Sequence, residues 1–328
     1  MEFWQDYGLF LMKTVTLSAA FVVLALFLTA LSVRGRERSR ERLEVRRLND
    51  RYHNMEMAIQ QELLGGKKLR QFAKLRAKQH KEEQAKDAKR RIFVLNFVGD
   101  IRASQVENLR QEVSALLTLA GKDDEVVVRV ETGGGVMHGY GLAASQLVRI
   151  RERGIPLTVT VDKVAASGGY MLACVADRIL AAPFAIVGSI GVIGQVPNFH
   201  RLLQRHDVDF EQHTAGQYKR TLTMFGENTD ERRAKFVEEL EDAHTLFKDF
   251  IRQHRPQLEL DKVATGEHWF GERALSLGLV DELKTSDDYL LAASKDATLL
   301  ELSFKHKEKL GKRLSIAFES AIAKLMQR

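Results

Sequence analysis

The 328-residue sequence contains one cysteine, Cys174, and four prolines. A single cysteine excludes an internal disulfide framework and any zinc site built from cysteine pairs. So few prolines, without a repetitive tract, argue against long disordered linkers. Neither G-x-x-x-x-G-K-[ST] nor G-x-G-x-x-G occurs, so these nucleotide-binding fingerprints are missing. No cluster of metal-ligand residues stands out, and we expect neither a metal nor a cofactor.

The composition is that of a largely globular protein, with 45% hydrophobic and 29% charged residues. The net charge of +6 is unevenly distributed, because residues 34–91 hold 19 Lys and Arg against 9 Asp and Glu. The basic character belongs to this segment alone, so the sequence does not indicate a nucleic-acid partner.

Residues 14–33 (TVTLSAAFVVLALFLTALSV) contain no charge. As a helix this segment spans about 30 Å, the thickness of a bilayer's hydrocarbon core. A cleaved signal peptide is the alternative, but Glu2 and Asp6 precede the segment and no good cleavage site follows it. We therefore predict a transmembrane helix that contacts membrane lipid.

Arginines crowd the carboxyl side of this segment, at positions 34, 36, 38, 40, 42, 46 and 47. The positive-inside rule predicts a single-pass protein with its short N-terminal tail outside and the bulk of the chain in the cytoplasm. Residues 34–64 carry an apolar stripe with helical spacing, and Gly65-Gly66 interrupts it. Residues 34–91 are therefore predicted to form a basic helical stalk.

From residue 92 onward, apolar strand-like runs alternate with helical patterns, which predicts an α/β fold with a parallel sheet. The predicted strands are residues 92–98, 125–131, 155–161, 178–181 and 208–213. The predicted helices are residues 104–120, 139–153 and 230–254. The predicted domains are residues 1–33 (tail and transmembrane helix), 34–91 (stalk), 92–300 (main α/β domain) and 301–328 (basic C-terminal helix).

Two predicted strands end in unusual residues. The strand at 125–131 is followed by Thr132-Gly133-Gly134-Gly135, and the strand at 155–161 precedes VAASGGY, which contains Ser167. Parallel strands place their carboxyl ends at one sheet edge, so Ser167 is expected to face the amides of Gly134 and Gly135. Such amides can form an oxyanion hole or bind phosphate. A tight turn and a helix cap are the purely structural alternatives.

A serine nucleophile needs a base. The ten histidines, His138 among them, show no distinctive setting. A lysine kept neutral by burial is the other possibility, and Lys219 follows the predicted strand at 208–213.

The chain resembles the signal peptide peptidase A family of membrane-bound serine peptidases, most closely its SohB branch. The resemblance covers nearly the whole chain and is carried by VDKVAASGGYMLACVAD, AIVGSIGVIGQVPNF, HTAGQYKRTLTMFGENT and ATGEHWFGERALSLGLVDEL. It implies a Clp-protease/crotonase-like fold of stacked β-β-α units. Residues 132–135 depart from the family's usual S-P-G-G, because Thr132 and Gly133 replace the serine and the proline.

The resemblance assigns a role to each candidate site residue. Ser167 is the implied nucleophile and Lys219 the implied general base. Gly134 and Gly135 are the implied oxyanion donors. The implied substrate-binding segment is Gly188, Ser189, Ile190, Gly191 and Val192.

The implied protein is a serine endopeptidase of the bacterial inner membrane, with residues 92–300 as its peptidase domain on the cytoplasmic side. It is expected to cleave signal-peptide remnants or unfolded membrane and secreted proteins. It is expected to form a homo-oligomeric ring in which Ser167 and Lys219 pair between neighbouring subunits. A crotonase-like acyl-coenzyme A enzyme and a non-catalytic membrane scaffold are the alternatives. The crotonase-like enzyme would need neither Ser167 nor Lys219.

Overall fold

A computed structural model describes residues 12–16, 18, 21, 42–85 and 90–305. The described residues fall into two compact units. Residues 45–303 form the larger unit, and the described residues on either side belong to the smaller one. In the smaller unit, hydrogen bonds from Lys305 and Arg42 lower the pKa of Glu44 to about 2. The elements that build the candidate site all belong to the larger unit.

The strands are β1 (Arg42–Arg47), β2 (Arg91–Val98), β3 (Glu125–Glu131), β4 (Leu157–Val161), β5 (Val164–Ala166), β6 (Arg178–Ala181), β7 (Ile186–Gly188), β8 (His268–Phe270), β9 (Glu282–Leu283) and β10 (Thr298–Lys305). The helices are α1 (Leu48–Leu63), α2 (Gly66–Ala85), α3 (Val106–Leu116), α4 (Met137–Glu152), α5 (Gly168–Ala173), α6 (His200–Arg205), α7 (Asp230–His254), α8 (Leu260–Val263), α9 (Gly271–Ser276) and α10 (Ser286–Ala293).

The larger sheet has seven strands in the order β1-β10-β2-β3-β4-β6-β9. The five pairings from β10 to β9 are parallel. Strand β2 is apolar on both faces because both are covered. Phe93 and Leu95 pack into the main core, whereas Ile92 and Val94 pack into a second core with Leu48 of α1. Burying each such side chain contributes about 1.5–3 kcal/mol to folding.

A three-stranded sheet, β5-β7-β8, lies beyond the carboxyl ends of the central strands. Its strand β5 follows β4 along the chain, and β7 follows β6. The two sheets meet where Thr132, directly after β3, forms a parallel bridge with Ala165 of β5. This bridge brings the end of β3 beside the end of β5, so the segments that follow the two strands are close in space.

The α/β class expected from the sequence is confirmed. Strands β2, β3, β4 and β6 and helices α3, α4 and α7 lie where the patterns predict them, and the central pairing is parallel. Two local predictions within residues 34–300 are wrong. Residues 42–47 form an edge strand instead of helix, and residues 208–213 form no strand. All six of the latter residues are exposed, so they have no buried face to pack against a sheet.

The predicted membrane location is contradicted. Across the residues that the structure describes, no helix has the length and apolar character needed to cross a bilayer. The placement as a single-pass protein of the bacterial inner membrane is therefore corrected, together with the cytoplasmic orientation derived from it. Most of residues 14–33 lie outside the described residues, as do residues 306–328 of the predicted C-terminal helix. Residues 301–305 belong to β10 instead of that helix.

Candidate active site

Ser167 lies between β5 and α5 in an unusual backbone conformation. Its φ is 52° and its ψ is −116°, a positive-φ region that non-glycine residues rarely occupy and that costs about 1–3 kcal/mol. Two hydrogen bonds hold it there: the Ser167 N–H donates to the Gly188 carbonyl at 2.7 Å, and the Met171 N–H donates to the Ser167 carbonyl at 3.0 Å. The side chain makes no capping hydrogen bond, so the helix-cap interpretation does not apply.

The glycine loop, residues 132–135, contacts this serine. Gly134 has a φ of +87°, and a Cβ atom there would lie 2.8 Å from Ser167 Cβ and 2.7 Å from the Gly168 nitrogen. Both the positive φ and the close approach require glycine. The loop therefore lies directly against the serine and the first residue of α5.

Gly134, Gly135 and Gly168 line one cavity with Ser167, and the hydrogen bonds of their amides differ. The Gly134 N–H donates to Thr132 Oγ1 at 3.1 Å. Neither Gly135 nor Gly168 donates its N–H to an acceptor among the described residues, although both residues line the same cavity as Ser167. The sequence interpretation missed Gly168. Its position directly after a serine, at the start of a helix whose first N–H groups are unpaired, could have indicated it.

The cavity beside Ser167 measures about 810 Å³. Much of its wall is apolar, formed by Ile101, Val136, Met137, Met171, Val192, Ile193 and Phe247. Such a cavity suits an apolar side chain.

The predicted substrate-binding segment follows β7. Gly188 is the last residue of that strand, and Ile190 is buried. Along one edge the Ser189 N–H donates to the Glu267 carbonyl at 2.6 Å, and the Gly266 N–H donates to the Ile190 carbonyl at 3.1 Å. Gly191 and Val192 line the cavity, and within the described chain their backbone groups make no hydrogen bond. This stretch therefore presents a free backbone edge to the cavity.

Lys219 lies in an exposed segment, residues 206–229, that contains neither helix nor strand. Its backbone N–H donates to the Gly216 carbonyl at 3.2 Å, and it does not line the cavity that contains Ser167. Within one chain, six of the predicted site residues therefore line a common cavity: Ser167, Gly134, Gly135, Ser189, Gly191 and Val192. Lys219 does not line it. His138, in the first turn of α4, does line the cavity.

The described residues contain no group of three or more His, Cys, Asp and Glu side chains arranged to hold a metal ion. The chemistry that the site offers is that of a hydroxyl nucleophile, backbone amide donors and an apolar binding cavity.

Comparison with known proteins gives a consistent result. Residues 2–147 match the family model "Peptidase family S49 N-terminal", and residues 149–300 match "Peptidase family S49". A probable protease SohB of Haemophilus influenzae is 44% identical, over 98% of this chain and 95% of its own length. Another probable protease SohB, from Buchnera aphidicola subsp. Acyrthosiphon pisum, is 48% identical over 96% of this chain and 94% of its own length.

A solved structure of a membrane-bound stomatin-specific protease with a substrate peptide is also similar. The two sequences are 15% identical, and the alignment covers 69% of this chain and 98% of the chain in that structure, with a TM-score of 0.41.

Proposed function

The chain belongs to peptidase family S49 and is a protease of that family, and we propose that it is a serine endopeptidase with Ser167 as nucleophile and Lys219 as general base. One observation carries the proposal: Ser167 is held at positive φ and lines the same cavity as Gly135 and Gly168, whose N–H groups have no acceptor among the described residues. Nucleophiles on strained strand-to-helix turns are exposed to substrate in this way.

The proposed reaction is a two-step hydrolysis. The Lys219 amine, in its neutral form, accepts the Ser167 hydroxyl proton while Ser167 Oγ attacks the peptide carbonyl carbon. The carbonyl oxygen becomes an oxyanion held by the free amides. The protonated amine then gives its proton to the leaving nitrogen, and the peptide bond breaks to leave an acyl-enzyme. Water, deprotonated by the same amine, then attacks the acyl carbon. The ester bond to Ser167 Oγ breaks, the amine returns the proton to that oxygen, and the carboxylic acid product leaves.

We assign the oxyanion contacts to the Gly135 and Gly168 amides. The sequence indicates Gly134 and Gly135, but the Gly134 N–H already donates to Thr132 Oγ1. A donor aimed at the oxyanion contributes about 3–4 kcal/mol to the transition state. This contribution requires an N–H with no competing acceptor, which favours Gly135 and Gly168.

Lys219 would come from a neighbouring copy of the chain in a homo-oligomeric ring. A lysine serves as a base only where burial favours its neutral amine, and in the single chain Lys219 is exposed. Its segment also exposes several large apolar side chains: Val208, Phe210, Tyr218, Met224 and Phe225. Packing this segment against a second copy would cover those side chains and could bury the amine beside Ser167.

The proposed substrate is an extended peptide that pairs with the free edge at Gly191 and Val192 by strand addition. The apolar cavity walls favour small or aliphatic side chains next to the cleaved bond. Remnants of signal peptides and unfolded membrane or secreted proteins supply such sequences. A peptide library in which charged residues are preferred at the cleaved bond would contradict this part of the proposal.

The Clp-protease/crotonase type of fold belongs to the same proposal. The order β4-β5-α5 is one strand–strand–helix unit, and β6-β7-α6 repeats it. In each unit a strand of the large sheet precedes a strand of the small sheet.

Replacement of the proposed base tests the dyad. We expect Lys219→Ala to lower casein and peptide hydrolysis at least about 10²-fold, because general-base catalysis contributes about that much or more. Ser167→Ala should also lose labelling by a fluorophosphonate probe. His138→Ala is the matched control, because it removes the imidazole from the same cavity and should leave hydrolysis intact. If His138→Ala abolishes hydrolysis and Lys219→Ala does not, the imidazole is the base and the proposal fails.

A further inference from the structure

We propose that Thr132 and Tyr140 are positioning residues that aim the oxyanion amides through a one-way chain of buried hydrogen bonds. The chain runs from the Gly134 N–H through the two hydroxyls to the Asp100 carbonyl oxygen. The inference rests on the proposed peptidase function, because it concerns the same oxyanion site.

The direction of the chain follows from the atoms involved. The Asp100 carbonyl can only accept, so the one hydroxyl proton of Tyr140 is donated to it at 2.7 Å. Thr132 must then donate its own proton to Tyr140 Oη. The remaining capacity of Thr132 Oγ1 is as an acceptor, and it receives the Gly134 N–H at 3.1 Å. Every proton in the chain therefore has one destination, and the chain cannot reverse.

Burial keeps water away from the two hydroxyls of this hydrogen-bond chain. Thr132 is 2% exposed and Tyr140 is fully buried, so water does not compete for the two hydroxyls. Burial also raises the pKa of Tyr140, against the opposing effect of the Thr132 hydrogen bond. The hydroxyl of Tyr140 therefore stays protonated, and remains a donor, to a higher pH than that of an ordinary tyrosine.

Tyr140 reaches both halves of the proposed oxyanion site. Its hydroxyl fixes the glycine loop through Thr132, and its ring packs under Gly168, where a Cβ atom would lie 2.3 Å from Tyr140 Cγ. The Phe97 ring meets the Tyr140 ring edge-on, with centroids 6.1 Å apart. One immobilised side chain thus sets the spacing between the loop and the first residue of α5.

The glycine loop needs such a device. Three consecutive glycines have wide conformational freedom, and no proline in residues 132–135 restricts it. With the Gly134 N–H held by Thr132, the loop is restrained at its centre, and the Gly135 N–H is left without an acceptor among the described residues. Without the hydroxyl, the loop could rotate and misalign that amide.

The test compares Thr132→Val with Thr132→Ser in the full chain. Because amide misplacement near 1 Å can cost about 10²-fold in rate, we expect Thr132→Val to lower kcat about 10- to 100-fold with KM nearly unchanged. Thr132→Ser keeps the hydroxyl and should retain nearly the wild-type kcat. Tyr140→Phe should lower kcat by about as much as Thr132→Val. The double variant should have a kcat no lower than either single variant, because all three break the same chain of hydrogen bonds. Thermal unfolding of each variant separates misalignment from loss of fold.

Three results would overturn the inference: unchanged kcat in Thr132→Val, an equal loss in Thr132→Ser, or a rise in KM with kcat retained. Should Thr132→Val not fold, Tyr140→Phe gives the same decision. Failure of the peptidase proposal would look different, because the wild-type chain would then neither hydrolyse peptides nor lose fluorophosphonate labelling on Ser167→Ala.

Discussion

At the scale of single residues, the site depends on backbone amides, and the side chains around them determine which amides are free. Thr132 engages the Gly134 N–H, whereas the Gly168 N–H opens a helix and has no partner within the described chain. The order of residues identifies Ser167 and the glycine run as unusual. It does not identify Tyr140, because the contacts of this side chain with Thr132, Asp100 and Gly168 exist only once the sheet has formed.

Charged residues far from the site stabilise the fold in a way that depends on pH. Asp124 accepts hydrogen bonds from Arg91 at 2.8 and 2.6 Å and from the Gly121 N–H at 2.8 Å. Burial alone would raise the pKa of Asp124, but these bonds outweigh it and lower that pKa. A lowered pKa means that the stabilisation is present above the ordinary value near 3.8 and is lost as the pH falls through the folded-state value.

We therefore expect Asp124→Asn to lower the free energy of unfolding by about 1–3 kcal/mol at pH 7, and by much less near pH 2. Urea unfolding at the two pH values measures the difference. Asp123→Asn, at the exposed neighbouring position, should have little effect at either pH. An equal loss for Asp124→Asn at both pH values would show that the ionised carboxylate is not the cause.

At the scale of elements, buried strands were the most predictable feature. The apolar runs RIFVLNFV and EVVVRVE indicate β2 and β3 because both faces of these strands are covered. Edge and exposed segments were not predictable. In β1, with the sequence RLEVRR, charged side chains surround two apolar ones, and its strand conformation depends on pairing with β10.

The segment after β7 is the element that would receive the substrate. We expect Val192→Pro to raise KM about 3- to 10-fold, because proline removes an N–H that the substrate backbone would use and a single hydrogen bond contributes about 0.5–1.5 kcal/mol. Val192→Ala is the matched control, since it keeps the N–H and should change KM less. Steady-state kinetics on a peptide substrate decides, and equal effects of the two variants would indicate that the side chain, not the backbone, is used.

At the scale of the whole molecule, the proposed dyad requires assembly. Lys219 is exposed and Ser167 lines the cavity, so the two would meet only when a second copy of the chain supplies the lysine. The sequence indicates both residues but contains no direct information on whether they meet within a chain. That question depends on surfaces, and the apolar side chains exposed between residues 208 and 225 were recognisable as a surface only in the folded chain.

Mixing two inactive variants tests the assembly. Co-expressed Ser167→Ala and Lys219→Ala chains should recover activity, because some sites combine an intact serine with an intact lysine from the next subunit. In a randomly mixed ring with head-to-tail contacts, about a quarter of the sites would be complete. Each variant expressed alone serves as the control. Absence of recovery in a mixed oligomer, isolated through two different tags, would show that the two residues do not act across a subunit boundary.

The only cysteine of the chain offers a practical route to such assemblies. Cys174 is fully buried, and burial raises the pKa of its thiol, so the reactive thiolate scarcely forms. The native protein should therefore not react with thiol-directed probes. A spin label or fluorophore attached through Ala215→Cys, in the exposed segment of Lys219, would report distances between neighbouring copies without interference from the rest of the molecule.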